Sequence, residues 1–251
     1  MPQNTTIKLD ENQTDQTDGS SNIQICTTRE GLANIRKKEV EMITWERVLP
    51  RRVRNWLDRL ELASFLPLRV LVEPSICRLP IEHHFDQNGI PFETIRDLVV
   101  DDVEGLVSTF AKITSSPVVD IRLEHIVTDA CWKFHRDCVD ARLLTTYRGL
   151  PTEWVQPQYA IQALREQKHY DGPVEHFRDN AVLMFKGSND GMLKGVVHRS
   201  PAMENSVRTR LLLCLNKRSM TSPDPWATEI EFKSHQSEIA QSARFDDANL
   251  D

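Results

Sequence analysis

No apolar stretch in this 251-residue chain approaches the length needed to span a bilayer, which excludes a transmembrane helix. No long basic run is present either: Arg51, Arg52 and Arg54 put only three charges on an expected helix, and the net charge is −6. Dedicated binding of nucleic acid or of an anionic membrane requires clustered cations, so both are set aside. The start lacks the charged and apolar regions of a secretory signal. There is no CxxC pair. The five cysteines, Cys26, Cys77, Cys131, Cys138 and Cys214, are odd in number and scattered, which argues for reduced thiols and a cytoplasmic protein rather than a disulfide framework. Large apolar side chains are nearly missing from residues 1–22, a segment rich in Asn, Gln, Thr and Asp that cannot bury enough surface to offset the entropy of ordering; it reads as disordered. Residues 233–251 are again polar and acidic and read as a tail.

What lies between divides in two. Over residues 23–117 the apolar positions recur at spacings of three and four: Leu32, Ile35, Val40 and Ile43, then Val53, Trp56, Leu57 and Leu60 after Pro50. A further helix is expected from about Phe92 to Ile113, stopped by Ser115-Ser116-Pro117. This region is read as a helical supporting layer. From residue 118 to 232 the period changes to two, as in Val119, Ile121 and Leu123, with short β-type runs near 126–134, 141–148, 181–186, 195–199 and 210–216. Helices followed by closely spaced strands indicate an α+β fold, and the strand count suits a double-stranded β-helix, the jelly-roll barrel of cupins, with the N-terminal helices packed on it. Residues 156–180 interrupt the strands with a helical run and a polar loop, which is either a wall of the substrate pocket or an ordinary surface excursion.

The chemistry concentrates in His135-Arg136-Asp137, followed sixty-one residues after the aspartate by His198 and ten residues later by Arg208. On an extended segment His135 and Asp137 project to one side about 7 Å apart. With His198 they form a candidate metal triad. Two imidazoles and one carboxylate leave half an octahedral shell open, as in non-haem Fe(II) oxygenases, and a planar guanidinium can take the far carboxylate of 2-oxoglutarate bidentately. The order H-x-D, long gap, H, ten residues, R thus resembles the Fe(II)- and 2-oxoglutarate-dependent oxygenases. Arg208 is the expected anchor; Arg210 shares its strand face and either reaches the same cavity or forms a structural ion pair. Thr145 and Tyr147 offer hydroxyls to a bound carboxylate if their face of the 141–148 strand points inward, and are ordinary β-formers if it points out.

A second resemblance rests on Phe134-His135-Arg136-Asp137, Leu144-Thr145-Thr146-Tyr147-Arg148-Gly149 with Thr152-Glu153-Trp154, Lys186-Gly187, and His198-Arg199-Ser200-Pro201 with Arg210-Leu211-Leu212-Leu213-Cys214-Leu215. Over about residues 45–217 the chain resembles the family called domain of unknown function 1826. The glycine-rich turn usual before Thr-Glu-Trp reads Gly149-Leu150-Pro151 here. Bacterial members often sit beside zinc-homeostasis genes, which implies a rival reading: a non-catalytic protein holding Zn(II) on the same three ligands. Ligand identity alone does not separate Zn(II) from Fe(II). A small-molecule or protein substrate fits the oxygenase reading without being specified by it.

Other constellations are weaker. Cys131, His135 and Cys138 with His198 would make a Cys2His2 zinc site, but Cys138 has the wrong strand parity. His83 and His84, beside Glu82 and Asp86, read as solvated loop residues, and His125 as a sheet residue. Trp154 serves either as a stacking platform or as core.

Overall fold

The computed structural model describes residues 22–127, 131–188, 195–201 and 209–227. The expectations for residues 1–21, for the tail from 233 and for Arg208 lie outside the described residues. In chain order the elements are β1 (Ile23–Cys26), β2 (Met42–Trp45), α1 (Arg51–Arg59), β3 (Leu68–Val72), α2 (Arg78–Gln87), α3 (Thr94–Thr114), β4 (Val119–Ile126) and β5 (Ala141–Arg148). There follow β6 (Glu153–Trp154), α4 (Ala160–Glu166), β7 (Glu175–His176), β8 (Val182–Lys186), β9 (His198–Arg199) and β10 (Arg210–Lys217).

The result is an α+β fold around a seven-stranded sheet of order β1-β2-β8-β5-β10-β4-β3, antiparallel except for the β1–β2 edge pair. A three-stranded antiparallel sheet, β7-β6-β9, accompanies it. Strand parity sorts the side chains of the large sheet. Val119, Ile121 and Leu123 of β4, Leu143 and Tyr147 of β5, and Leu211, Leu213 and Leu215 of β10 join Val99, Val103, Leu106 and Phe110 of α3 in one buried cluster. Leu144, Leu183, Phe185 and Cys214 point the other way and pack with Phe177, Val196 and Trp154 of the second sheet region. Fully burying each such aliphatic or aromatic side chain is worth roughly 1.5–3 kcal/mol, so both faces of the large sheet are held by packing.

The helix α3 follows its apolar stripe and ends on Ser115, whose φ of 53° is left-handed, with the Ser116 amide reaching back to the Ala111 carbonyl before Pro117. Elsewhere residues 23–117 depart from the purely helical expectation. Ile23–Cys26, Met42–Trp45 and Leu68–Val72 are strands of the large sheet. Val40 and Ile43 fit a helical period by coincidence: Met42-Ile43-Thr44 is a short, wholly buried run with strands on both sides, and such a run carries no readable period. Residues 78–87 are a helix, not a loop, with Pro80 tolerated in its first turn. His84 is therefore buried, edge-on to the Phe65 ring at 5.1 Å, and burial lowers its pKa. The segment expected as strand after Ile126 is a loop where described, joined to the second sheet by an isolated bridge between His135 and His198.

Candidate metal centre

That bridge assembles the site. The His135 amide donates to the His198 carbonyl at 3.0 Å and the His198 amide to the His135 carbonyl at 3.1 Å, which sets the two rings with centroids 4.6 Å apart. Each ring is oriented through its Nδ1. His135 Nδ1 lies 2.8 Å from the Lys133 carbonyl and His198 Nδ1 lies 3.1 Å from the Val196 carbonyl. A carbonyl only accepts, so both Nδ1 atoms carry the proton and both Nε2 atoms present lone pairs, the usual arrangement behind a ligating histidine. Those lone pairs converge on one carboxylate: His135 Nε2 is 3.6 Å from Asp137 Oδ1 and His198 Nε2 is 3.5 Å from Asp137 Oδ2. One donor atom from each residue lies within 4.8 Å of the others, a group that could hold a metal ion.

The electrostatics suit a cation. Asp137 and His198 are buried, and His135 is about one-third exposed, which gives the cluster one open side. Burial, outweighing the Asp137 charge, pushes His198 down to about 4, so its ring is neutral and ligand-competent near pH 7. Asp137 is held at both ends. Arg142 of β5 donates to its Oδ2 at 2.7 Å, and its main-chain carbonyl accepts from the Ser188 amide at 2.9 Å. Gly187 makes that loop possible: a Cβ there would stand 2.0 Å from the Val139 carbonyl oxygen and 2.6 Å from that of Asp137. The pair Lys186-Gly187 thus has a steric meaning that the sequence did not disclose.

Arg210 is the other notable group. It is 1 % exposed at the start of β10, where Nη1 donates to Ser200 Oγ at 2.9 Å and Nη2 to Thr146 Oγ1 and Thr152 Oγ1 at 3.3 and 3.2 Å. Its Nε has no partner, and it makes no ion pair among the described residues. Burial pulls its pKa down to about 10, outweighing the opposing influence of Cys131 and Glu153. Ser200 follows His198 by two residues, so on extended backbone it lies on the same face about 7 Å away. Gly149, at φ +89°, lets the end of β5 cross this point, since a Cβ would meet the Thr209 carbonyl oxygen at 2.5 Å.

The structure brings His135, Asp137 and His198 together and places Arg210 beyond Ser200. It does not bring in Thr145 or Tyr147. Both face the helical layer, where Tyr147 donates to Asp102 Oδ2 at 2.6 Å, Arg47 pairs with Asp102, and Arg47 Nη2 donates to Thr145 Oγ1 at 3.4 Å. The inward-hydroxyl alternative for these two is thereby replaced by a buried structural network. Trp154 stacks on Phe177 at 5.8 Å as part of the inter-sheet core. The cysteines are thiols rather than disulfides, and neither Cys131 nor Cys138 joins the ligand cluster. The sequence assigned no role to Arg142, Ser188, Ser200, Thr146 or Thr152, although the motif segments contain Thr146, Thr152 and Ser200 and parity on β5 puts Arg142 and Thr146 on one face.

An α+β scaffold carrying a two-histidine, one-carboxylate cluster is the class that the fold and site define. The chain belongs to the family "Protein of unknown function (DUF1826)", whose model matches residues 27–216. Comparison with curated proteins gave no match. Among solved structures the chain is similar to a Pseudomonas putida prolyl-4-hydroxylase at 10% identity and TM-score 0.42, over 76% of this chain and 96% of that one. It is similar also to a full-length Neurospora crassa protein solved in complex with alpha-KG, at 12% identity and TM-score 0.41, over 81% of this chain and 84% of that one. Among the described residues no helix is long and apolar enough to cross a membrane.

Proposed function

We propose that this chain is an Fe(II)- and 2-oxoglutarate-dependent oxygenase of the hydroxylase type, its two sheets forming a double-stranded β-helix around the site. The observation that carries the reading is Arg210, a buried cation that forms no ion pair among the described residues and donates to Ser200, two residues along the chain from His198 of the His135, Asp137 and His198 cluster. A buried charge left uncompensated is costly unless a ligand supplies the counter-charge. In this reading His135 and His198 donate Nε2 and Asp137 a carboxylate oxygen to the metal. Arg210, with the hydroxyls of Thr146, Thr152 and Ser200, receives the far carboxylate of 2-oxoglutarate; Arg208, outside the described residues, is the alternative anchor. When bound, Fe(II) supplies activation of dioxygen for substrate oxidation. The chain's own contribution is to fix the two imidazole tautomers through Lys133 and Val196, to hold Asp137 through Arg142 and Ser188, and to wall the inner side of the site from water with Phe185, whose ring is 5.0 Å from that of His198.

The test is metal analysis of protein purified without a metal-affinity tag, followed by anaerobic addition of Fe(II) with and without 2-oxoglutarate. One bound divalent ion per chain and a visible charge-transfer band that needs both additions are expected. Retention of Zn(II) with no band in the Fe(II)-loaded protein overturns the oxygenase reading in favour of a zinc-binding protein on the same ligands.

A further inference from the structure

Arg142 makes two contacts that together control how Asp137 can present itself. Its Nη1 donates to Asp137 Oδ2 at 2.7 Å while its Nε donates to Asn216 Oδ1 at 2.7 Å. Arg142 and Asn216 are cross-strand partners in β5 and β10, and Asn216 is 4 % exposed, so the guanidinium is held by the sheet and not merely by the carboxylate it touches. Asn216 is fixed in turn, its Nδ2 lying 3.4 Å from the buried Cys214 Sγ. The main chain of Asp137 is pinned by Ser188 over Gly187. A carboxylate clamped at its backbone and capped on one oxygen has little freedom to turn both oxygens toward one ion.

We infer that Arg142 is a positioning residue that keeps Asp137 a one-oxygen ligand, leaving Oδ1 to the ion and so keeping a third coordination position free. The inference rests on the metal-centre reading above. Its consequence is arithmetical: two imidazoles and one carboxylate oxygen occupy three of six octahedral positions, whereas a chelating carboxylate would occupy a fourth. A co-substrate that binds through two oxygens and a further small ligand together need three positions. The guanidinium also leaves a bound divalent ion with more net positive charge, which favours an anionic chelator there.

Mn(II) reports the coordination directly, because the waters it retains exchange and relax bulk protons. With Mn(II) bound, the parent protein is expected to show three exchangeable waters and Arg142→Met two, as the freed carboxylate closes on the ion. The same substitution is expected to leave Mn(II) affinity equal or tighter while weakening oxalate, the two-oxygen chelator used as probe, at least tenfold. Arg142→Lys, which keeps a cation beside Oδ2, is expected to restore most of the water count, and Asn216→Ala to move it in the direction of Arg142→Met by less. Circular dichroism verifies that each variant is folded. If Arg142→Met keeps three waters and simply binds Mn(II) more weakly, Arg142 is structural support and the inference is overturned. Failure of the parent to bind Mn(II) sinks both this inference and the metal centre. A parent with three waters that forms no Fe(II) and 2-oxoglutarate band sinks the oxygenase reading alone and upholds the role of Arg142.

Discussion

Arg47 and Arg210 are buried on opposite faces of the same sheet, and they are satisfied in opposite ways. Arg47 faces the helices, where Asp102 of α3 meets it and Tyr147, Thr145 and the Asn180 carbonyl complete its shell. Burial raises the Tyr147 pKa well above its ordinary value, and the neighbouring Asp102 charge adds to that rise, so the phenol stays a donor. Arg210 faces the second sheet, hydrogen-bonded to three hydroxyls and in no ion pair among the described residues. A cation paired within the chain secures packing of helix on sheet. A cation hydrogen-bonded only to hydroxyls is left with charge to offer a ligand, and under the proposed function that difference makes one face structural and the other a binding side.

The largest effect expected on the binding side is loss of metal: His135→Ala, Asp137→Ala and His198→Ala each reduce bound divalent ion from about one per chain to a small fraction without unfolding, as read by elemental analysis and circular dichroism. Full metal occupancy in all three would place the site elsewhere. On the structural side, Asp102→Asn strands the Arg47 charge and is expected to cost about 3–5 kcal/mol in denaturant unfolding, with metal content unchanged. Arg210→Met is expected to do the reverse. Stability stays within about 1 kcal/mol, because no internal ion pair is broken, while 2-oxoglutarate affinity falls roughly ten- to 150-fold, the equivalent of about 1.5–3 kcal/mol for a charge-assisted contact. If Arg210→Met destabilises as much as Asp102→Asn and leaves 2-oxoglutarate binding intact, the contrast between the two arginines collapses.

Acid provides a milder test. His198 is held below the ordinary histidine value in the fold, and burial also lowers His84 and His125, so between pH 6.5 and about 4 the unfolded chain binds protons that the folded one refuses. Stability of the metal-free protein should therefore be lost as pH falls through that window, by on the order of 1 kcal/mol from His198 between pH 6.5 and 5.5, with His84 and His125 acting in the same direction. A urea midpoint that stays level or rises on acidification contradicts the sign. The smallest effect belongs to residues 1–21. Their deletion, sparing Asn22 whose carbonyl accepts from the amides of Glu41 and Met42, is expected to leave the thermal transition and metal content where they were.

The triad was legible because H-x-D places two donors on one side of an extended segment, and because His198 lies in a run, 195–199, that reads as β-structure. For the anchor the ten-residue interval from His198 favoured Arg208, and Arg210 shares its parity, so the sequence narrows the candidates to these two. The face of β5 was not legible at all: Leu143, Thr145 and Tyr147 alternate with Arg142, Leu144 and Thr146, and either set could face a core. The β2 segment was misread as helix for a related reason, its period being too short to count.

From the sequence alone came the change from helical to alternating periodicity near residue 118, the α+β class, the three donor types and their order, and membership in a family by motif. These are local properties, set by the spacing of side chains along one segment. Tertiary structure decided the rest: that β1, β2 and β3 complete the large sheet, that His135 meets His198 through a two-bond bridge, that Gly187 admits the Asp137 loop, and that Arg142 turns to Asp137 and Arg210 to Ser200, Thr146 and Thr152 while Thr145 and Tyr147 face the helices. Each of these depends on which strands become neighbours, and a residue's face acquires meaning only when another layer is packed against it.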